Sequence, residues 1–257
     1  MTPALSIILP VHAAADLASR SVSSLLQFLA GCNAPWEIIV VDDGGNDFDA
    51  TPLPRHPAVQ LLRHQRNLGK GAAVRTGMLA ARGAVRLYTD VDLPYDLDLI
   101  PTLARHIAAG FHLAVGDRTL PGSQYAAPLT RRRRLLSGVG SRFIGSLVTG
   151  GYHDTQCGIK AFRGDVADEL FRLVTLPRFA FDVEVIYLAL KHRLDIKRVP
   201  VQLRRNETTS VRPCRDAARA VVDILGIKVK QLQGRYASPG LETMLAEEAR
   251  AARAARH

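Results

Sequence analysis

The chain has 257 residues, 47% of them hydrophobic and 23% charged, the balance of an ordinary globular protein with one large domain or two small ones. Its formal net charge of +10 calls for an anionic partner: nucleic acid, a phosphorylated small molecule or an acidic membrane surface. Aromatic residues make up only 6%, which argues against base-stacking modes of nucleic-acid binding, and three widely spaced cysteines suit neither a disulfide framework nor a C-x-x-C metal site.

Cys32, Cys157 and Cys214 fit a reducing cytoplasm. LSIILPV (5–11) is too short for a signal peptide and lacks a basic start. The longest apolar candidate, FAFDVEVIYLAL, carries Asp182 and Glu184 and falls short of the ~18 residues of a membrane span. The chain is therefore not expected to cross a membrane by itself.

Residues 5–11 form a β-branched apolar run, read as a strand, and 17–30 follow as a helix with Leu17, Val22, Leu25, Leu26 and Leu29 on one face. EIIVVDDGG (37–45) is a second strand stopped by acids and glycines, and VQLLRH (59–64) a third. Residues 70–82 are Ala-rich and helical, AVRLY (84–88) is a fourth strand, a helix covers about 96–109, and FHLAVGDR (111–118) is a fifth strand. This alternation predicts a mostly parallel sheet with right-handed crossovers. The second half is less regular. A loop with four consecutive arginines spans 119–134, and a helix is expected over 135–149. HDTQCGIKAFR (153–163) reads as a loop entering a strand, 165–174 and FDVEVIYLALKH as helices, and DIKRVPVQLR as a strand. Residues 214–233 form an amphipathic helix carrying Val221, Ile224, Leu225, Ile227, Val229 and Leu232. The Ala/Arg/Glu-rich tail after Pro239 reads as a peripheral helix that frays.

Several stretches carry chemistry. YTDVDLP ends the fourth strand with Asp90 and Asp92 one residue apart, and Pro94 forbids a central ladder beyond them. Two ionised carboxylates so close need water, donors or a cation between them. The alternative is a solvated loop with a helix cap. Asp42 and Asp43 with Gly44 and Gly45 could meet a base or ribose, or form a plain turn with an aspartate cap. Gly69, Lys70 and Gly71 precede a helix whose free N–H groups would suit a phosphate. No G-x-G-x-x-G follows the first strand, which removes support for a dinucleotide-binding dehydrogenase. His153, Asp154, Gln156, Cys157 and Lys160 crowd one loop, where Cys157 reads as a small buried thiol. Asp182 and Glu184 must each find a partner or face a cleft.

In this order, SIILPV, EIIVVDDGG, RNLGKGAAVRTGM, YTDVDLP, VGDR, DTQCGIKAFR, FAFDVEV and RVPV resemble the inverting, family 2 glycosyltransferases of the GT-A fold. The nearest type is the polyprenyl (dolichyl)-phosphate sugar synthases, of the dolichyl-phosphate glucosyltransferase-like branch. The resemblance covers roughly residues 5–212. It implies a single Rossmann-like α/β domain (1–212) with a mostly parallel sheet, followed by the amphipathic helix (213–236) and the tail (237–257). It further implies a hexose, glucose by preference, moved from a nucleotide sugar to a polyprenyl phosphate with Mg²⁺ or Mn²⁺. UDP-glucose is the favoured donor and GDP-mannose the alternative.

The implied roles follow residue by residue. Pro10, Asp42 and Asp43 match nucleotide contacts, and Lys70 lies in the segment beneath the nucleotide. Asp90 and Asp92 match the D-x-D pair, Asp92 as direct metal ligand and Asp90 through ribose or water. Arg118 matches an arginine near the phosphates, and Asp154 and Gln156 fall in the loop bordering sugar and acceptor. Arg131 to Arg134, Arg204, Arg205 and Ser210 are candidates for the acceptor phosphate. Three departures stand out: PVHAA replaces the usual P-x-Y-N-E, Asp43-Gly44-Gly45 replaces D-G-S, and Pro94 takes a slot where mannosyl-type enzymes hold a metal-assisting glutamine. A phosphate acceptor, with its second pKa near 6, is largely ionised at neutral pH and needs no strong base. A soluble hydroxyl acceptor would need one, and Asp154 and Asp182 are the candidates. Basic patches and the 214–233 helix predict peripheral docking on an acidic leaflet, with core packing as that helix's alternative. Nucleic-acid binding loses support, because carboxylates at successive strand ends would repel a polyphosphate backbone.

Overall fold

The computed structural model describes residues 2–125, 152, 154–204 and 213–254, with backbone alone for 213–221. Its strands are β1 Leu5–Val11, β2 Trp36–Asp42, β3 Val59–Arg63, β4 Val85–Thr89, β5 Leu113–Asp117, β6 Ile159–Arg163 and β7 Ile196–Pro200. The helices are α1 Ala15–Leu29, α2 Lys70–Ala80, α3 Leu99–Ala108, α4 Gly164–Leu173, α5 Phe181–Lys191, α6 Pro213–Leu232 and α7 Pro239–Ala254. The expected helix over 135–149 and the arginine run 131–134 lie outside the described residues, as do His153, Arg205 and Ser210.

The strands form one sheet in the order β3-β2-β1-β4-β6-β5-β7. Strand side chains alternate between faces, and here both faces are covered. Ile7, Leu9 and Val11 of β1 join the core beneath α1 and α3, while Ile8 joins a second core with α2, α4 and α5. Two-sided burial is why β1 and β2 read as continuous apolar runs. Helix α1 turns Val22, Leu25 and Leu29 onto the sheet, and truncating one such leucine to alanine would cost about 2–5 kcal/mol. Ala14 offers α1 no side-chain cap; Asp47 Oδ2 supplies one from the β2–β3 connection, accepting from Ala15 N at 2.8 Å.

The sheet is mostly parallel, as expected, and β6 is the exception: it runs antiparallel to both β4 and β5. Its pairing of Ile159 with Thr89 brings the start of β6 against the finish of β4. From β1 the chain goes to β2 on one side and, later, to β4 on the other. This reversal opens a crevice at the C-terminal ends of β1 and β4, where open α/β sheets take ligands.

The C-terminal part departs from expectation. Tyr236 and Leu241 are fully buried, Ser238 Oγ donates to Glu169 at 2.7 Å, and Glu248 pairs with His112 (2.9 Å) and Arg163 (2.5 Å). The tail is thus a clasped helix rather than a fraying one: two buried side chains and a few polar contacts do what a long apolar face usually does. The apolar residues of α6 are likewise not one face, since Ile224 and Ile227 point into the core and Leu225, Val229 and Leu232 point out. Among the described residues no helix is long and apolar enough to cross a membrane.

Candidate active site

The crevice is rimmed by strand ends. Pro10 pairs with Val41, and Val11 with Asp42, so Pro10, Asp42 and Asp43 meet at one lip. Asp42 is fully buried; its Oδ1 accepts from Gly45 N at 2.7 Å, and its Oδ2 has no partner among the described residues. Such an oxygen is costly without a donor, by about 1–3 kcal/mol. Asp43 is spent within the protein. Its Oδ1 accepts from Leu68 N (2.9 Å) and faces His64 Nδ1 (2.8 Å), and its Oδ2 accepts from Gly69 N (2.7 Å). It therefore ties β2 to the approach to α2 instead of presenting free oxygens.

Part of the approach to α2 that Gly69-Lys70-Gly71 offered to an anion is taken up within the protein. Leu68 N and Gly69 N serve Asp43, and Ala72 N donates to Pro177 O at 3.0 Å. The glycines are there for close packing: a Cβ on Gly69 (φ +107°) would strike Pro177 O, and one on Gly71 would come within 2.5 Å of Leu176 O. Lys70 contributes its ammonium instead, which pairs with Asp90 Oδ1 at 2.5 Å.

Asp90 leaves β4 beside the start of β6. A Cβ on Gly158 would overlap Asp90 Oδ2, so only glycine lets the carboxylate lie there. The backbone then turns through Leu93 (φ +44°), with Leu93 N donating to Asp90 O at 3.1 Å. Within that turn Asp92 lines a cleft of about 290 Å³ with Leu17, Arg20, Leu93, Leu97 and Arg204. Arg204 is half exposed and pairs with Asp96 at 3.1 Å. Of the candidates for acceptor phosphate, Arg204 alone is among the described residues; Arg131, Arg134, Arg205 and Ser210 are outside them.

The two candidate bases are buried and ion-paired. Asp154 is 5% exposed and is gripped by Arg118, whose backbone N donates to its Oδ2 (2.6 Å) and whose guanidinium spans both oxygens, Nε to Oδ2 at 3.1 Å and Nη2 to Oδ1 at 2.7 Å. Arg118 and Asp154 are thus brought together as one unit, the carboxylate orienting the cation. Asp182 is 3% exposed, takes a hydrogen bond from Tyr88 Oη at 2.6 Å and one from the buried Lys160 ammonium, which also donates to Cys157 O at 2.7 Å. Neither carboxylate is without a cation: Asp154 answers the part-exposed Arg118 guanidinium and Asp182 the buried Lys160 ammonium. Burial, and then the Asp182 carboxylate, hold the Tyr88 phenol well above its usual range.

Gln156 is exposed on the same loop, and Cys157 is fully buried with its thiol pushed up to about 12 by burial, a packing thiol as the sequence indicated. Glu184 also finds partners: Thr175 N and Oγ1, Leu176 N and Tyr236 Oη. Sequence reasoning missed the roles of Gly158, Lys160 and Tyr88. A lysine inside GIKAF was a visible signal, since a cation on a buried strand must have an acid nearby. Asp117 was missed too; it is fully buried and bonded by Arg198 Nε (2.6 Å) and Thr119.

A hard divalent cation fits this donor set. Asp90 and Asp92 offer only oxygen, and no cluster of three or more His, Cys, Asp or Glu occurs among the described residues. Two carboxylates suit an ion that keeps waters and borrows phosphate oxygens, not one that needs a full protein cage.

Comparison with known proteins bears on the family and the fold. The family Glycosyl transferase family 2 matches residues 6–171. Dolichyl-phosphate beta-glucosyltransferase of Dictyostelium discoideum is 30% identical over 210 residues, 77% of this chain and 64% of that protein, so the chain spans just under two thirds of that relative's length. The Drosophila melanogaster protein of the same name is 30% identical over 250 residues, 90% of this chain and 76% of its own. Glucosyl-3-phosphoglycerate synthase from Mycobacterium tuberculosis, solved with Mn²⁺, UDP and glucosyl-3-phosphoglycerate, superposes with a TM-score of 0.59 at 16% identity. That match covers 92% of this chain and 81% of that one, a likeness of fold.

Proposed function

Because the chain belongs to glycosyl transferase family 2, we propose that it moves glucose from UDP-glucose to a polyprenyl phosphate, inverting the anomeric carbon. GDP-mannose is the alternative donor. The observation that carries the choice of acceptor is the state of the two candidate bases. Asp154 and Asp182 are both buried and ion-paired, so the residues that a hydroxyl acceptor would depend on are occupied. A phosphate monoester attacks with an oxygen that is already ionised and needs only to be held in line.

The chain's own groups divide the task by position. The unpartnered Asp42 Oδ2 at the β2 lip is suited to a base N–H, with Pro10 beside it. Asp92 and Asp90 would hold Mg²⁺ or Mn²⁺, which when bound supplies positive charge against the diphosphate. Lys70 adds a second positive charge from the α2 side. Arg118, oriented by Asp154, is the cation for the donor phosphates, with Gln156 exposed nearby on the bordering loop. Arg204 on the cleft rim is suited to the acceptor phosphate, arginine being fitted to two-pronged phosphate contact. Arg131, Arg134, Arg205 and Ser210 are proposed for the same acceptor on sequence grounds.

The test is a donor screen with Mg²⁺ or Mn²⁺ against polyprenyl phosphate and the matching polyprenol, with products identified by mass spectrometry. The expected result is a hexosyl phosphate lipid from UDP-glucose and no product from the alcohol. Equal turnover of the alcohol would overturn the acceptor assignment and favour a hydroxyl-using enzyme of the same fold.

A further inference from the structure

Helix α6 carries apolar residues on two opposite sides. Ile224 and Ile227 are buried against the core, and Gln231 meets the Tyr187 hydroxyl of α5 on that same side. Val222, Leu225, Val229 and Leu232 are 68%, 61%, 51% and 89% exposed. Their spacing of three, four and three residues puts them in one row along the helix, turned away from the buried pair. Single exposed apolar residues are ordinary, but four in a row on the solvent side of a helix that already has a core face are not explained by folding.

We infer that this outer row is a docking surface that seats the protein on an acidic phospholipid bilayer, an inference that rests on the lipid-acceptor reading above. Charge favours this occupant. From Val222 to Arg235 the cations Lys228 and Arg235 outnumber the single acid Asp223 once Lys230, engaged by Thr175 and Glu184, is set aside, within a chain of net charge +10. Lys228 and Arg235 are exposed, Lys228 lying alongside the row with Nζ 5.6 Å from the Tyr187 ring centre. Cations flanking an apolar row match acidic head groups over an acyl boundary. A second copy of the same surface would set like charges against each other. The seat differs from a purely basic patch, because the outward side chains that would enter the bilayer are apolar.

The helix also stands in the right relation to the proposed site. Lys230 bonds Thr175 Oγ1, and the neighbouring Leu176 and Pro177 carbonyls press against Gly71 and Gly69, on either side of Lys70. A bilayer engaged by α6 therefore lies along an element that braces the crevice.

Flotation of the full chain with vesicles of phosphatidylcholine and phosphatidylglycerol tests the surface. It is compared with the Leu225→Gln/Val229→Gln double variant, whose positions are exposed and whose melting midpoint should match the wild type. The wild type is expected to float, and the variant to partition about tenfold less well or worse. Transfer to a short, water-soluble isoprenyl phosphate should be unchanged in the variant, while transfer to a long-chain carrier in vesicles falls with flotation. Equal flotation of both proteins, or none by either, would overturn the inference. So would a wild-type dimer in light scattering that the variant loses, which would give the row to a second copy. Flotation that depends on the row while no acceptor is glycosylated would sink the acceptor reading and leave the docking surface standing.

Discussion

Asp90 and Asp92 are two residues apart, yet the turn between them gives each a different neighbourhood. Asp90 is held between Lys70 and the bare backbone of Gly158, and Asp92 is delivered to the cleft beside Arg204. Asp92→Asn keeps the shape and removes the charge, so turnover should fall about a hundredfold or more with an unchanged melting midpoint. Near wild-type turnover would remove Asp92 from the metal-holding role. Gly158→Ala forces a Cβ into Asp90 Oδ2; the expected result is a higher KM for donor and a loss of about 1–3 kcal/mol in denaturant unfolding. The acidic pair was legible because two carboxylates closing an apolar run must be met by water, donors or a cation at the strand's end. Gly158 was not, since the carboxylate it makes room for lies 68 positions earlier in the chain.

Strand β6 is the element that joins the halves. Running antiparallel between β4 and β5, it sets Gly158 beside Asp90 and Lys160 opposite Tyr88. Lys160 then meets Asp182 from the start of α5, and a strand, its neighbour and a helix are locked beneath the crevice. Lys160→Met would leave Asp182 buried with its cation gone and should cost about 3–5 kcal/mol in denaturant unfolding. The double variant Lys160→Met/Asp182→Asn removes both charges and should recover much of that loss. A double variant no more stable than the single one would show that the pair does not act as a unit. The sequence announced that Asp182 and Glu184 needed partners, because each lies among apolar residues. Which partner each would find depended on the antiparallel course of β6, which no local periodicity encodes.

At the scale of the molecule, the C-terminal helices are fastened by polar contacts whose strength depends on pH. Burial raises the Glu248 carboxyl, but hydrogen bonds from His112 and Arg163 outweigh it and leave the group below its ordinary range. The unfolded chain therefore takes up a proton first as pH falls. Stability from this contact is complete above the ordinary carboxylate range and is lost on acidification through it. Glu248→Gln should lower the melting midpoint near neutral pH, with the difference from wild type shrinking as pH falls below about 4.5. A difference constant across that range would rule out the charged clasp. His192 adds a step at higher pH. Burial lowers its pKa, so the neutral ring that bonds Tyr236 O is favoured, and stability falls as the unfolded histidine protonates below about 6.5.

The sequence by itself determined the alternation of strands and helices, the two-sided burial of the sheet and the acidic tips at its C-terminal edge. These rest on composition and spacing within a few residues, where side-chain periodicity and Pro or Gly breaks act directly. Only the tertiary structure decided what each charge meets. It consumed Asp43, Asp154 and Asp182 in contacts within the protein, kept Asp92 on a cleft and split α6 into an inner and an outer apolar side. Those outcomes depend on residues far apart in the chain meeting at low dielectric, where a carboxylate's partner, not its place in the sequence, fixes what it can do.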